Sequence, residues 1–160
     1  NRLYNYITIN KGARDGIEPD MGVASIKGVV GIVSTVNERF SVVIPILNPK
    51  SKLSCKLATG SYFGSLFWDG RNTQYANLTE LPNHAEFNPG DQVVTSGYSA
   101  VFPAGLLVGT VAEFDKEQGT FNSLKVKLAV DFQSLRMVRV IKNDLQQQQL
   151  EVEREAKKND

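Results

Sequence analysis

From Ser123 to Phe132 apolar and polar side chains alternate residue by residue. Leu124, Val126, Leu128, Val130 and Phe132 fall on one face, and Lys125, Lys127 and Asp131 on the other. A period of two is that of a half-buried β-strand. The same reading extends to YITIN (6–10), GVAS (22–25), VVGIVSTV (29–36), SVVIPIL (41–47), LSCKLA (53–58) and YFGSLFW (62–68). It continues through ANLTEL (76–81), QVVTS (92–96), LLVGTVAEF (106–114) and MVRVIK (137–142). Gly, Pro, Asn and Asp clusters (KGARDG, NPKSK, WDGRN, NPGD, DKEQG) punctuate these runs as turns. Many short strands at close spacing with almost no helical period predict an all-β protein of sandwiches or barrels.

Two stretches depart from simple alternation. In YFGSLFW, Tyr62, Leu66 and Trp68 fall on one face and Phe63 and Phe67 on the other, so both faces carry large apolar groups. Such a strand is either buried on both sides or presents an exposed aromatic patch suited to a protein partner. The last segment, NDLQQQQLEVEREAKKND, has good helix formers, no Gly or Pro and little apolar periodicity. It reads as a polar tail, helical or disordered.

The halves of the chain echo each other. Ile17, Pro19 and Val23 recur at the same spacing as Phe87, Pro89 and Val93, and Gly31-Ile32-Val33 has its counterpart in Gly109-Thr110-Val111. The pattern fits a duplicated barrel, and it also fits chance recurrence of a proline turn before a strand. Within the second copy, Gly90 and Asp91 form a turn that launches a strand ending at Thr95-Ser96-Gly97. Pro103, Gly105 and Gly109 then re-aim the chain and relieve crowding where strands bend.

Candidate chemistry is sparse. His84, Asp91 and Ser96 follow the chain order of one protease triad, but they lie within thirteen residues of each other. A triad draws its members from separate parts of a scaffold. Asp91 after Pro89-Gly90 is better suited to bonding turn amides, and Ser96 has no nucleophile elbow. One His and one Cys cannot supply the usual multi-ligand zinc site, and no phosphate-binding or calcium loop occurs. Asn77-Leu78-Thr79 matches a glycosylation acceptor but also reads as strand, and Glu80 and Glu86 read as surface acids beside a turn. The reading is therefore of a non-enzyme with neither catalytic residues, cofactor nor metal.

Bulk properties narrow the partners. The 18 basic and 17 acidic side chains balance to a net charge of +1, which removes the electrostatic argument for nucleic acid despite Lys50, Lys52 and Lys56 near several aromatics. Cys55, alone, forms no intramolecular disulfide, so the fold stands on its core. The abrupt start on NRLYNYITIN suggests a piece of a longer protein.

Taken together, the blocks ITINKGARDGIEPDMGV, GVVGIVSTV, YFGSLFWDG, GDQVVTSGYSAVFPAGLLVGTV and DFQSLRMVRVI resemble the extracytoplasmic region of the MreC family of rod shape-determining proteins, over about residues 4–142. Tyr98-Ser99-Ala100 departs from the glycine-richer loop of many members, and the Gln-rich tail lies outside the resemblance. The resemblance implies two tandem small β-barrels without catalytic activity. The first would span residues 1–50, with 136–142 as its closing strand, the second 51–135, and the polar tail 143–160. It further implies a scaffold of the cell-elongation machinery on the periplasmic side of the bacterial inner membrane, held there by an anchor upstream of this chain. The scaffold would bind and activate a class B penicillin-binding transpeptidase in peptidoglycan synthesis, communicate with MreD and the MreB system, and be open to self-association. Surface-aromatic reasoning then nominates Tyr62, Phe63, Phe67, Trp68, Tyr98 and Phe102 as partner contacts. The rival readings are a glycan- or nucleic-acid-binding barrel and a hydrolase on a barrel fold.

Overall fold

In a computed structural model, which describes residues 6–99, 101–112, 123–142 and 144–159, eleven strands form where alternation places them. The Glu113-Phe114 end of the strand expected over 106–114, the DKEQG turn and Ala100 lie outside the described residues. The strands are β1 (Ile7–Ile9), β2 (Gly22–Ala24), β3 (Val29–Val36), β4 (Ser41–Pro45), β5 (Leu53–Leu57) and β6 (Phe63–Phe67). They continue as β7 (Tyr75–Thr79), β8 (Gln92–Thr95), β9 (Leu107–Val111), β10 (Ser123–Leu128) and β11 (Arg139–Ile141). A helix, α1 (Asp144–Lys158), resolves the tail in favour of its helical reading.

Six strands close a barrel in the order β10-β7-β6-β5-β8-β9, sealed by antiparallel pairing of β10 with β9. In β10 the alternation is literal: Leu124, Val126 and Leu128 are buried, and Ser123, Lys125 and Lys127 face water. Closure removes free edges, which a sheet this small otherwise exposes. The other unit is a five-stranded antiparallel sheet, β1-β4-β3-β2-β11, curved as a half-barrel. Arg139–Ile141 does join that sheet, but it pairs with β2 and forms one edge, while β1 forms the other. Among the described residues, no strand joins β1 to β11. Its core gathers Ile17, Met21, Val23, Val30, Val33, Val43 and Val130. Val29, Ile46 and Leu47 of the same half belong instead to the core of the closed barrel, so the two units share an apolar boundary.

The echo seen in the sequence is an echo in hydrogen bonds. Asp20 N–H donates to Val33 O (2.8 Å) and Val33 N–H to Met21 O (2.8 Å). In the second unit Gly90 N–H donates to Val111 O (2.7 Å) and Val111 N–H to Asp91 O (2.8 Å). Asp20 and Gly90 both take a left-handed φ, +72° and +90°. Gly requires no adaptation there, and Asp is among the few residues that tolerate it. Val23 faces Gly31 and Val93 faces Gly109, each pair followed at once by a register shift. Ser25 N–H to Gly28 O (2.8 Å) matches Thr95 N–H to Leu106 O (2.8 Å), and Ile46 N–H to Val30 O (2.9 Å) matches Ala129 N–H to Val108 O (3.0 Å). Matched bonds around matched bulges make duplication, not coincidence, the economical account.

Candidate functional site

The three residues of the apparent triad are each engaged elsewhere. The Ser96 hydroxyl lies 2.7 Å from that of Ser54 and accepts from Tyr98 N–H (3.1 Å). The Asp91 carboxylate accepts from Asn88 N–H (2.7 Å), closing the Pro89-Gly90 turn. The exposed His84 ring packs edge-on against Tyr62, centroids 5.5 Å apart. Nucleophile, base and orienting acid never converge. Asn77–Thr79 is strand, with Thr79 Oγ1 donating to Ser65 O (3.2 Å), and Glu80 accepts from the Ser65 hydroxyl (3.1 Å). Among the described residues no three metal-ligating side chains cluster.

The aromatic strand settles into one dry and one wet face. In β6 and the residue after it, Gly64, Leu66 and Trp68 point into the barrel, and Trp68 Nε1–H donates to Asn72 O (2.9 Å). Phe63 is 53% exposed and Phe67 half-buried on the outside. Trp68 is thus withdrawn from any contact surface. A Trp in an apolar interior needs a partner for its N–H, and this one has it. Tyr62 is half-buried beside His84.

The connection from β8 to β9 holds the remaining nominees. It is pinned by Thr95, whose buried hydroxyl donates to Pro103 O (2.7 Å) and accepts from Leu106 N–H (2.9 Å). Gly97 and Gly105 turn the chain at left-handed φ, +79° and +94°. In the first unit the equivalent bonded pair, Ser25 and Gly28, encloses two residues; Thr95 and Leu106 enclose ten. The enlarged loop sends two aromatic rings in opposite directions. Tyr98 is 85% exposed. Phe102 is 2% exposed, its ring against β2 where a Cβ on Gly22 would collide with it. Phe102 therefore joins the two units and is no surface contact, a correction that alternation could not supply because the loop has no period.

Between Tyr98 and the wet face of β6 lies β5. Ser65 stands opposite Ser54 in the β5–β6 register, Ser54 bonds Ser96, and Ser96 caps Tyr98 N–H. Lys56 pairs with both Phe63 and Val94 in the same outer layer. Sequence reasoning missed a second apolar exposure: Ile26 and Met137, fully and 84% exposed, line one shallow hollow of about 280 Å³. An isoleucine in the tight Ser25–Gly28 turn, where polar residues are usual, was the available signal.

Cys55, on the inner face of β5, is buried and carries no part of this surface. Removal from water pushes its thiol from 9.0 up to about 12. Native protein is accordingly expected to resist thiol reagents and to label fully in denaturant, as Ellman assays read. The unfolded thiol ionises first, so stability present below pH 9 is expected to decline between about pH 9 and 12, measurable by denaturant titration.

Comparison with known proteins places this geometry. The model of "Rod shape-determining protein MreC, barrel core" matches residues 1–142. A cell shape-determining protein MreC of Cereibacter sphaeroides is 34% identical over 137 residues, covering 86% of this chain and 43% of that protein. The corresponding protein of Listeria monocytogenes is 31% identical over 140 residues, covering 85% of this chain and 48% of that protein. The solved structure of Listeria MreC aligns with a TM-score of 0.78 at 32% identity, over 88% of this chain and 69% of that one. A complex between the penicillin-binding protein PBP2 and MreC from Helicobacter pylori also shares the fold, with a TM-score of 0.67 at 23% identity over 86% of each chain. The chain spans about half the length of the curated relatives it matches.

Proposed function

This chain belongs to the MreC family of rod shape-determining proteins, cell-shape scaffolds and not enzymes, and from that premise we propose that it binds and activates a class B penicillin-binding transpeptidase. The whole protein would do so on the periplasmic side of the inner membrane, anchored by sequence outside this chain and in communication with MreD and the MreB system. The H. pylori complex, in which an MreC binds PBP2, supports the class of partner. The observation that carries the reading is the outward aromatic surface of the closed barrel: Phe63 and Phe67 on β6, and exposed Tyr98 across β5. Aromatic groups beside a lysine and several hydroxyls have the composition of an interface centre with a polar rim. Activation follows if this surface prefers an open arrangement of the partner's stalk-like region, because preferential binding shifts the population toward that arrangement.

The double variant Phe63→Ser, Phe67→Ser tests the reading. Both side chains lie outside the barrel, so the melting temperature is expected to stay within roughly 3 °C of the parent. Affinity for the partner's periplasmic domain is expected to fall by roughly tenfold or more, as biolayer interferometry measures it. Unchanged affinity with intact folding would move the interface off this face.

A further inference from the structure

The turn between β2 and β3 is tied without help from its most exposed side chain. Ser25 N–H donates to Gly28 O (2.8 Å), and Lys27 N–H donates to the Ser25 hydroxyl (3.2 Å). Ile26, between them, is fully exposed and gives the core nothing. Polar residues serve such a turn better, so an aliphatic tip calls for a contact outside the chain. Met137, two residues before β11, stands beside it. The pair borders two adjoining hollows of about 280 Å³ each, one reaching Val138 and Arg139, the other Lys27, Leu135 and Arg136.

Cations ring this apolar pair. Lys27, Arg136 and Arg139 are all exposed, and Asp131 is the single carboxylate among the described residues that line either hollow. Asp131 is engaged in its own turn, accepting from Gln133 N–H (3.0 Å) and from the Ser134 hydroxyl (3.0 Å). In the neighbouring cavity that Arg136 and Met137 also line, Lys11 and Asp15 offset each other. Three cations against one acid is a local excess in a chain whose 18 basic and 17 acidic groups otherwise balance.

Size and charge together choose the occupant. A stable protein interface takes about 800 Å² from each partner around an apolar centre. The exposed apolar groups here are two side chains, one on a turn and one on a strand flank. Protruding aliphatic groups within a ring of cations suit a bilayer surface, where apolar tips enter the headgroup boundary and cations meet phosphates. We propose that the Ile26–Met137 tip docks on an anionic phospholipid surface, with Lys27, Arg136 and Arg139 facing the lipid phosphates. So few groups make the contact weak and reversible. The tip belongs to the five-stranded sheet, whereas the surface proposed for the transpeptidase belongs to the closed barrel, so the two stand or fall separately.

Cosedimentation with vesicles tests the proposal on the 160-residue chain. The probes are vesicles of phosphatidylcholine alone and of phosphatidylcholine with about 30% phosphatidylglycerol. The chain is expected to bind the anionic vesicles roughly tenfold or more tightly at low salt and to be released as ionic strength rises. Ile26→Ser and Met137→Ser change exposed side chains, so each is expected to keep the parent's melting temperature and to weaken vesicle binding by roughly fivefold. Ile26→Trp places a reporter at the tip, and its emission is expected to move to the blue on anionic vesicles while buried Trp68 contributes a constant background. No preference for anionic vesicles would overturn the proposal. Binding that both serine variants retain in full would also overturn it, since basic groups elsewhere would then account for the attraction. If the parent ignores vesicles and Ile26→Ser weakens binding to the transpeptidase domain, the tip is a protein contact and the proposal fails.

Discussion

Gly109→Val is expected to lower the melting temperature of the closed barrel by roughly 6–12 °C, equivalent to about 3 kcal/mol for a chain of this size. Gly109 sits in β9 opposite Val93, one residue pair before the register shift, and a Cβ there would fall inside contact distance of the Lys127 carbonyl oxygen on β10. The obstructing atom is backbone, held in the ladder that seals the barrel, so no rotamer change can make room. Gly31 meets the same obstacle at the Ile44 carbonyl on β4, and Gly31→Val is expected to act alike. Gly60→Ala is the control, because a Cβ there meets only the Tyr62 ring and amide at ordinary contact distances. Circular dichroism melts of the three variants decide the matter. If Gly109→Val melts with Gly60→Ala, close strand approach at the bulge is not what these glycines serve.

That the glycine echo is architectural, and that the serine beside it is not catalytic, could be read before any coordinates. Each strand is legible because alternation reports which residues share a face; β10 and the inner face of β6 follow it residue for residue. Alternation does not report neighbours. Nothing in MVRVIK says that it pairs with β2 and not β1, so an open half-barrel and a sealed one have the same strand pattern. The same limit explains the aromatic nominees. Phe63 and Phe67 have a parity, opposite to Leu66 and Trp68, and parity sorted them once the inner face was known. It should also have removed Trp68, which shares the inner face with Leu66. Tyr98 and Phe102 sit in a loop enlarged relative to its repeat, where no period exists and only tertiary contact separates an exposed ring from a buried one.

Phe102→Ala is the second large effect, and it bears on function because it isolates the boundary between the units. The ring is almost wholly buried and lies against Gly22 of β2, a residue whose lack of a side chain leaves the space the ring fills. Truncation removes a large apolar group and leaves a cavity between elements already fixed by Thr95 on one side and by the β2–β3 ladder on the other. The expected cost is about 3–5 kcal/mol, a fall of roughly 6–20 °C in melting temperature. Hydrogen exchange is expected to quicken in β2 as well as in the loop, since both lose the same contact. Tyr98→Ala, four residues away, is expected to leave the melt unchanged and to weaken partner binding. The two variants therefore separate stability from recognition within one loop. If Phe102→Ala melts within about 2 °C of the parent yet fails to bind the transpeptidase domain, the ring is a contact residue after all and the boundary between the units is held by other groups.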